Sequence, residues 1–206
     1  MGTGDTRRAG AARRSAASLE EAVYRANRRQ TRELTRAQRR NRLEALALHE
    51  AWVLADPTRE RAVLLDAAGR VITRKDGEFD SVMWTEAALQ PLVGTVDLVI
   101  HNHPRSTSLG ENDVDLALYL DAREVSALTA TRRYRFHRLG DAWPPDGDLA
   151  TAIAEERERL VDEMVRARNE RRIGDARIER TFYHVLWGRV AGRYQDRLSY
   201  EVERRG

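Results

Sequence analysis

His101, Asn102, His103 and Pro104 follow directly on the apolar run Val96–Ile100, and Asp113 lies ten residues beyond His103. Residues two apart on a strand project to the same face. His101 and His103 therefore aim two imidazoles at one point. Pro104 has no N–H to give to a ladder, so the strand stops there and the chain turns out into a loop, Arg105–Gly110. The next segment, Glu111–Ala122, is a predicted helix with Val114, Leu116, Leu118 and Leu120 as its apolar content, and Asp113 falls in its first turn. A strand end, a loop and a helix start bring that carboxylate back beside the imidazoles. Two histidines and an aspartate make a three-ligand nitrogen and oxygen set, and a water as fourth ligand completes the open tetrahedral form that catalytic zinc takes. The chain has no cysteine, which excludes thiolate metal sites, disulfides and a thiol nucleophile. Any metal must be held by His, Asp, Glu or water.

The elements that must position these groups are legible in outline. Helix formers fill Leu19 to about Ala55, with Leu43, Leu46, Ala47, Val53 and Leu54 at helical spacing, and Asp56-Pro57 ends the run. Arg61–Asp66 predicts a strand, Ala67-Ala68-Gly69 a turn, and Val71–Arg74 the return strand of a hairpin. Thr85–Leu92 predicts a short helix with Thr85 as N-cap. Val125–Ala130 and Tyr134–Leu139 predict two further strands, and Gly140–Gly147 a loop. Two helices are expected to finish the chain, over roughly 148–172 and 176–204. The fold class is α/β: a mixed sheet over residues 57–147, a helical extension over 18–56, and C-terminal helices over 148–206 packing on the core.

The string HNHPRSTSLGENDVDL resembles the signature of the JAMM/MPN metallopeptidases, in which HxHP is followed by a spacer and Ser-x-x-Asp, with a Glu on an earlier strand. Its HNHP form is similar to the RadC-like and prophage JAB-domain branches of bacteria. The order of acid, strand, hairpin, short helix, strand, HNHP, helix, two strands and Trp-Pro agrees over residues 58–145. The resemblance implies a JAB/MPN-like core, a zinc ion held by His101, His103 and Asp113, and Glu60 as the general acid and base that deprotonates a metal-bound water. Glu50 and Glu78 are the alternatives to Glu60, and Asp115 the alternative to Asp113. Family spacers favour Asp113, and Asp115 points to another side of the helix. One departure stands out. The family's Ser, which supports the oxyanion three residues before the Asp, is Gly110 here. Its backbone N–H, or Ser106, Thr107 or Ser108 in the loop, would have to replace that hydroxyl. The implied activity is hydrolysis of a peptide or isopeptide bond in a protein substrate whose extended tail adds to a sheet edge. The other readings are a non-catalytic phage or prophage interaction module and a RadC-like nucleic-acid-associated protein.

Charge bears on the last of these. Residues 1–42 hold twelve arginines against Asp5, Glu20, Glu21 and Glu33, a net of +8, whereas the remainder holds 24 basic and 29 acidic residues, a net of −5. A basic arm on an acidic body suits a polyanion, so nucleic-acid contact through the arm is expected. Residues 1–17 carry no large apolar side chain beyond Met1, which predicts a flexible arm rather than a secretory signal. With no long apolar run, no membrane partner is expected, and the location is cytoplasmic or virion-associated. Asn102 is read as a structural hydrogen-bonder. His49, His137 and His184 are read as surface or core side chains, Trp143-Pro144 as a lid over the sheet edge, and Trp52, Trp84, Trp187 and Tyr194 as core.

Overall fold

The computed structural model describes residues 36–205; the basic arm 1–17 and the first part of the expected helical extension lie outside them. Helix α1 (Arg36–Leu54) leads into a hairpin of β1 (Arg61–Leu65) and β2 (Val71–Asp76). Asp66 shapes the turn: its Oδ1 accepts the Ala68 and Arg70 N–H groups, both at 2.9 Å, and Gly69 takes φ 80°. A short helix α2 (Glu86–Leu89) continues as a 3₁₀ turn (Gln90–Leu92), followed by β3 (Leu98–Asn102), α3 (Glu111–Tyr119), β4 (Glu124–Leu128) and β5 (Arg132–Arg138). Helices α4 (Asp146–Asn169) and α5 (Asp175–Arg193) precede a last strand, β6 (Leu198–Arg204).

The six strands form one mixed sheet in the order β2-β1-β3-β4-β5-β6, with β3 and β4 parallel and every other pair antiparallel. Alternation along β3 sorts its side chains to two cores. Leu98 and Ile100 join Val53, Val63, Leu65 and Leu128 under α1. Val99 faces the larger core, with Leu109, Val114, Phe136, Leu160, Leu186 and Trp187 beneath α3, α4 and α5. Trp143 belongs to this second core: it stacks on Phe136, ring centroids 5.8 Å apart, and its indole N–H donates to the Ala122 carbonyl at 2.9 Å. It packs under the helices and caps no sheet edge. Among the described residues no helix is long and apolar enough to cross a membrane.

The main correction concerns the C-terminus. The helix expected to run to 204 ends at Arg193, and Leu198–Arg204 pairs with the whole of β5, from Leu198 opposite Arg138 to Arg204 opposite Arg132. The segment LSYEVER alternates apolar and polar residues from Leu198 to Glu203, which is strand periodicity. The chain after 148 is therefore helices plus an edge strand of the core sheet. Smaller shifts matter for the site. Strand β3 begins two residues later than expected and includes His101 and Asn102, and α3 stops at Tyr119 because Asp121 takes φ 52°. Thr85 occupies the N-cap of α2 without a side-chain capping bond.

On the α1 side, β4 and β5 carry a buried ion network. Arg135 grips Glu124 with two bonds of 2.9 Å, Arg133 reaches the same carboxylate at 3.3 Å and Glu50 of α1 at 2.8 Å, and Ser126 donates to it at 2.8 Å. Burial alone would push the Glu124 carboxyl up, but these cations and the hydroxyl hold it down at about 2. The folded value lies below the ordinary 4.5, so the stabilisation is complete above pH 4.5 and is lost as pH falls from there through 2. The difference corresponds to about 3 kcal/mol. We expect urea titrations at pH 7 and pH 2 to show wild type losing about that much more stability than Glu124→Gln, which lacks the titrating group.

Candidate metal centre

His101 sits in the middle of the sheet, opposite Ala62 on β1 and Ala127 on β4. Two alanines as lateral neighbours leave room for its ring, which is 3% exposed. One residue past β3, the His103 N–H still donates to the Leu128 carbonyl at 2.8 Å, so the ladder holds its backbone. The two rings project to the helix side of the sheet, with Nε2 atoms 2.9 Å apart. Asp113, in the first turn of α3, completes the convergence: Oδ1 lies 3.2 Å from His101 Nε2, and Oδ2 lies 3.4 Å from His103 Nε2.

The loop between His103 and α3 is tied at several points. The Ser106 N–H donates to the His103 carbonyl at 3.0 Å, and Ser106 takes φ 58°. Leu109 is fully buried and its carbonyl accepts the Trp187 indole N–H at 2.8 Å. Thr107 serves His103 directly, its carbonyl 3.2 Å and its hydroxyl 3.1 Å from Nδ1. With Nδ1–H donated to that carbonyl, the lone pair of Nε2 faces the centre, the second-sphere arrangement of metal-bound histidines.

Glu60 enters from β1's leading edge. Its N–H donates to the Glu78 carbonyl at 2.7 Å and its carbonyl accepts from Gly77 at 2.8 Å. Asn102, 2% exposed between the two histidines, brackets it: its Oδ1 accepts the Arg61 N–H at 2.6 Å and its Nδ2 donates to the Arg59 carbonyl at 2.8 Å. Asn102 thus clamps both peptide units flanking Glu60, which is what its structural reading amounts to.

The ligand atoms of Glu60, His101, His103 and Asp113 all lie within 4.8 Å of one another. Asp115 is elsewhere, in a neighbouring pocket, and Glu50 pairs with Arg133. Burial pushes the Glu60 carboxyl above its ordinary value, against the pull of the two imidazoles. Burial would do the same to Asp113, but His101 and His103 overcome it and hold that carboxyl far below the usual range. Burial lowers His103, yet Asp113 and Glu60 more than offset this and it ends above the usual imidazole value. Two imidazoles and two carboxylates converging on one point make a nitrogen and oxygen donor set that could hold a metal ion.

The centre opens onto a cleft of about 460 Å³. Of the four positions expected to supply an oxyanion donor, Ser106 does not line the cleft and the other three present no free donor to it. The Gly110 N–H is taken up by Asp113 Oδ2 at 2.6 Å. Ser108 lies in the cleft wall, but its Oγ is sealed from solvent and makes no well-formed hydrogen bond, with the Tyr200 hydroxyl as polar neighbour. Thr107 is engaged by His103. Sequence reasoning missed Tyr183 and Glu179 of α5, which line the same cleft. Burial, with the charges of Glu111 and Asp113, pushes the Tyr183 phenol up, so it stays a protonated donor at neutral pH. No local motif marks it; it is one residue off the apolar face of α5.

Gly110 offers a direct test. It takes φ −84° and ψ 174°, open to any residue, and an added Cβ would meet only Asp113 Oδ2, at an ordinary 3.5 Å. Serine there also improves the N-cap of α3 by a few tenths of a kcal/mol. Under the hydrolytic activity that the HNHP resemblance implies, Gly110→Ser is expected to fold and to raise kcat about tenfold with KM little changed, because the added donor acts mainly on the transition state. A folded, metal-loaded variant no faster than wild type would assign the donor elsewhere, to Tyr183 first.

Compared with known proteins, the chain matches no family model, no curated protein and no solved structure.

Proposed function

We propose that this protein is a zinc-dependent metallopeptidase of the JAMM type, with a JAB/MPN-like core, that hydrolyses a peptide or isopeptide bond in a polypeptide substrate. The observation that carries the reading is the convergence of Glu60, His101, His103 and Asp113 from three separate elements to within 4.8 Å. These are the residues, in the roles, that the HNHP resemblance implies. The element order hairpin, helix, strand, helix, strand, strand over residues 61–138 supports it further.

His101, His103 and Asp113 would hold the ion. Bound there, zinc would supply Lewis acidity that polarises the scissile carbonyl and activates water for attack. Glu60, held in place by Asn102, would take a proton from the attacking water and return it to the leaving amine. Tyr183 lines the same cleft and would supply a phenol O–H to the carbonyl oxygen as it gains charge. Edge strand β2 runs by way of Gly77 and Glu78 into Glu60's ladder, which supports a substrate tail adding as a strand on that side.

A second reading, a non-catalytic interaction module with the same fold, draws on one observation: the Gly110 N–H is occupied. One experiment separates the two. Chelated protein is reconstituted with zinc, then offered a peptide library and isopeptide-linked model peptides. We expect one zinc per chain and hydrolysis that a chelator abolishes and zinc restores. Full zinc loading with no cleavage of any member would favour the module.

A further inference from the structure

The metal cleft continues into a second cavity of about 420 Å³, with which it shares Val82, Met83, Asn112 and Leu116. Apart from Asn112 and the carboxylates Glu86 and Asp115, its walls are apolar and aromatic: Trp84, Leu89 and Tyr119 line it together with Leu116. In a chain with one residue in three charged, the concentration of apolar surface here is unusual. Met83 is 72% exposed and Tyr119 41% exposed at its mouth. An apolar hollow opening on a polar, charged reaction centre is the general form of a side-chain specificity pocket.

The wall common to both cavities is rigidly held. Lys75 donates to the Met83 carbonyl and lies over the Trp84 ring, 5.9 Å from its centroid. Gly77 sits so close beneath the following turn that a Cβ there would lie 2.1 Å from the Ser81 carbonyl oxygen. The same Gly77 N–H bonds to Glu60. The cavity is therefore fixed in register with the base, and a substrate residue seated in it would set which bond lies at the metal. Two carboxylates, Glu86 and Asp115, also line it. They disfavour an acidic side chain.

Resting on the metallopeptidase reading above, we infer that this cavity is the specificity subsite of the same centre, and that it takes a large apolar side chain, of the leucine, methionine or phenylalanine class, next to the scissile bond.

The test uses zinc-loaded full-length protein and two series of amino-acid hydroxamates, which place residue X on either side of the zinc-binding group, with X as Gly, Ala, Leu or Asp. Binding is measured by calorimetry. The glycine members report the metal alone. We expect leucine to bind roughly tenfold to a hundredfold more tightly than glycine in one series, the gain from burying such a side chain, and aspartate to bind most weakly. Tyr119→Ala and Trp84→Ala, at positions that line the second cavity and not the metal cleft, should each remove at least threefold of that preference while leaving glycine binding unchanged. Tyr119 is 41% exposed, so its variant will fold. Equal binding of leucine and glycine in both series, or a preference untouched by both substitutions, would overturn the inference with the zinc reading intact. If the glycine compounds do not bind either, the zinc reading has failed and the inference falls with it.

Discussion

Glu60→Gln is expected to keep one zinc per chain and to lower kcat about 10²–10⁴-fold, the contribution of a positioned general base, with KM nearly unchanged. The geometry separates Glu60 from the ligands. The two imidazoles and Asp113 approach one another to 2.9–3.4 Å, whereas Glu60 lies within 4.8 Å of them but pairs with neither imidazole. Glutamine preserves size and leaves the backbone clamp from Asn102 intact, so structure and metal should survive the exchange. What it removes is the ability to accept a proton. Zinc content by elemental analysis and turnover on the best peptide from the library check the result. Loss of zinc in the variant would make Glu60 a ligand; near wild-type turnover would move the base elsewhere.

The core of this site was legible because its signals are local. His-x-His at a strand end fixes two side chains on one face, and Asp113 at a helix start has a short, tied path back to them. Strand periodicity and the loop length carry that much with no tertiary information. Glu60 was found through the motif resemblance, since nothing in the local run Arg59–Arg61 sets it apart from Glu50 or Glu78. Its position depends on a pairing 41 residues away, the Arg61 N–H on Asn102. Tyr183 was missed for a related reason: it reaches the cleft only because α5 folds back over α3, and its neighbours Phe182, Val185 and Leu186 read as core. Strand β6 was missed because six residues of alternation follow a strong helical stretch with no proline between them. Its partner β5 lies some sixty residues earlier, and Glu201 and Glu203 become favourable in a strand only opposite Arg135 and Arg133, where both also bond to Arg135.

The double substitution His101→Ala/His103→Ala is expected to bring zinc below a tenth of an equivalent after reconstitution and to abolish any zinc-dependent stabilisation. Removing two of three protein ligands leaves a single carboxylate, which cannot hold zinc against buffer and chelator. Stability needs a careful readout, because both rings also fill space. His101 is almost fully buried between Ala62 and Ala127, and its loss leaves a cavity whatever its role. The melting temperature of the variant will therefore fall even without metal. The informative quantity is the difference between melts with zinc and with chelator. At free zinc a thousandfold above Kd, wild type should gain about 4 kcal/mol, roughly ten degrees in a domain of this size. The variant should gain nothing, and Asp115→Ala, outside the centre, should gain as much as wild type. A zinc increment that persists in the double variant would place the metal at another site and leave His101, His103 and Asp113 as a buried ion-paired cluster.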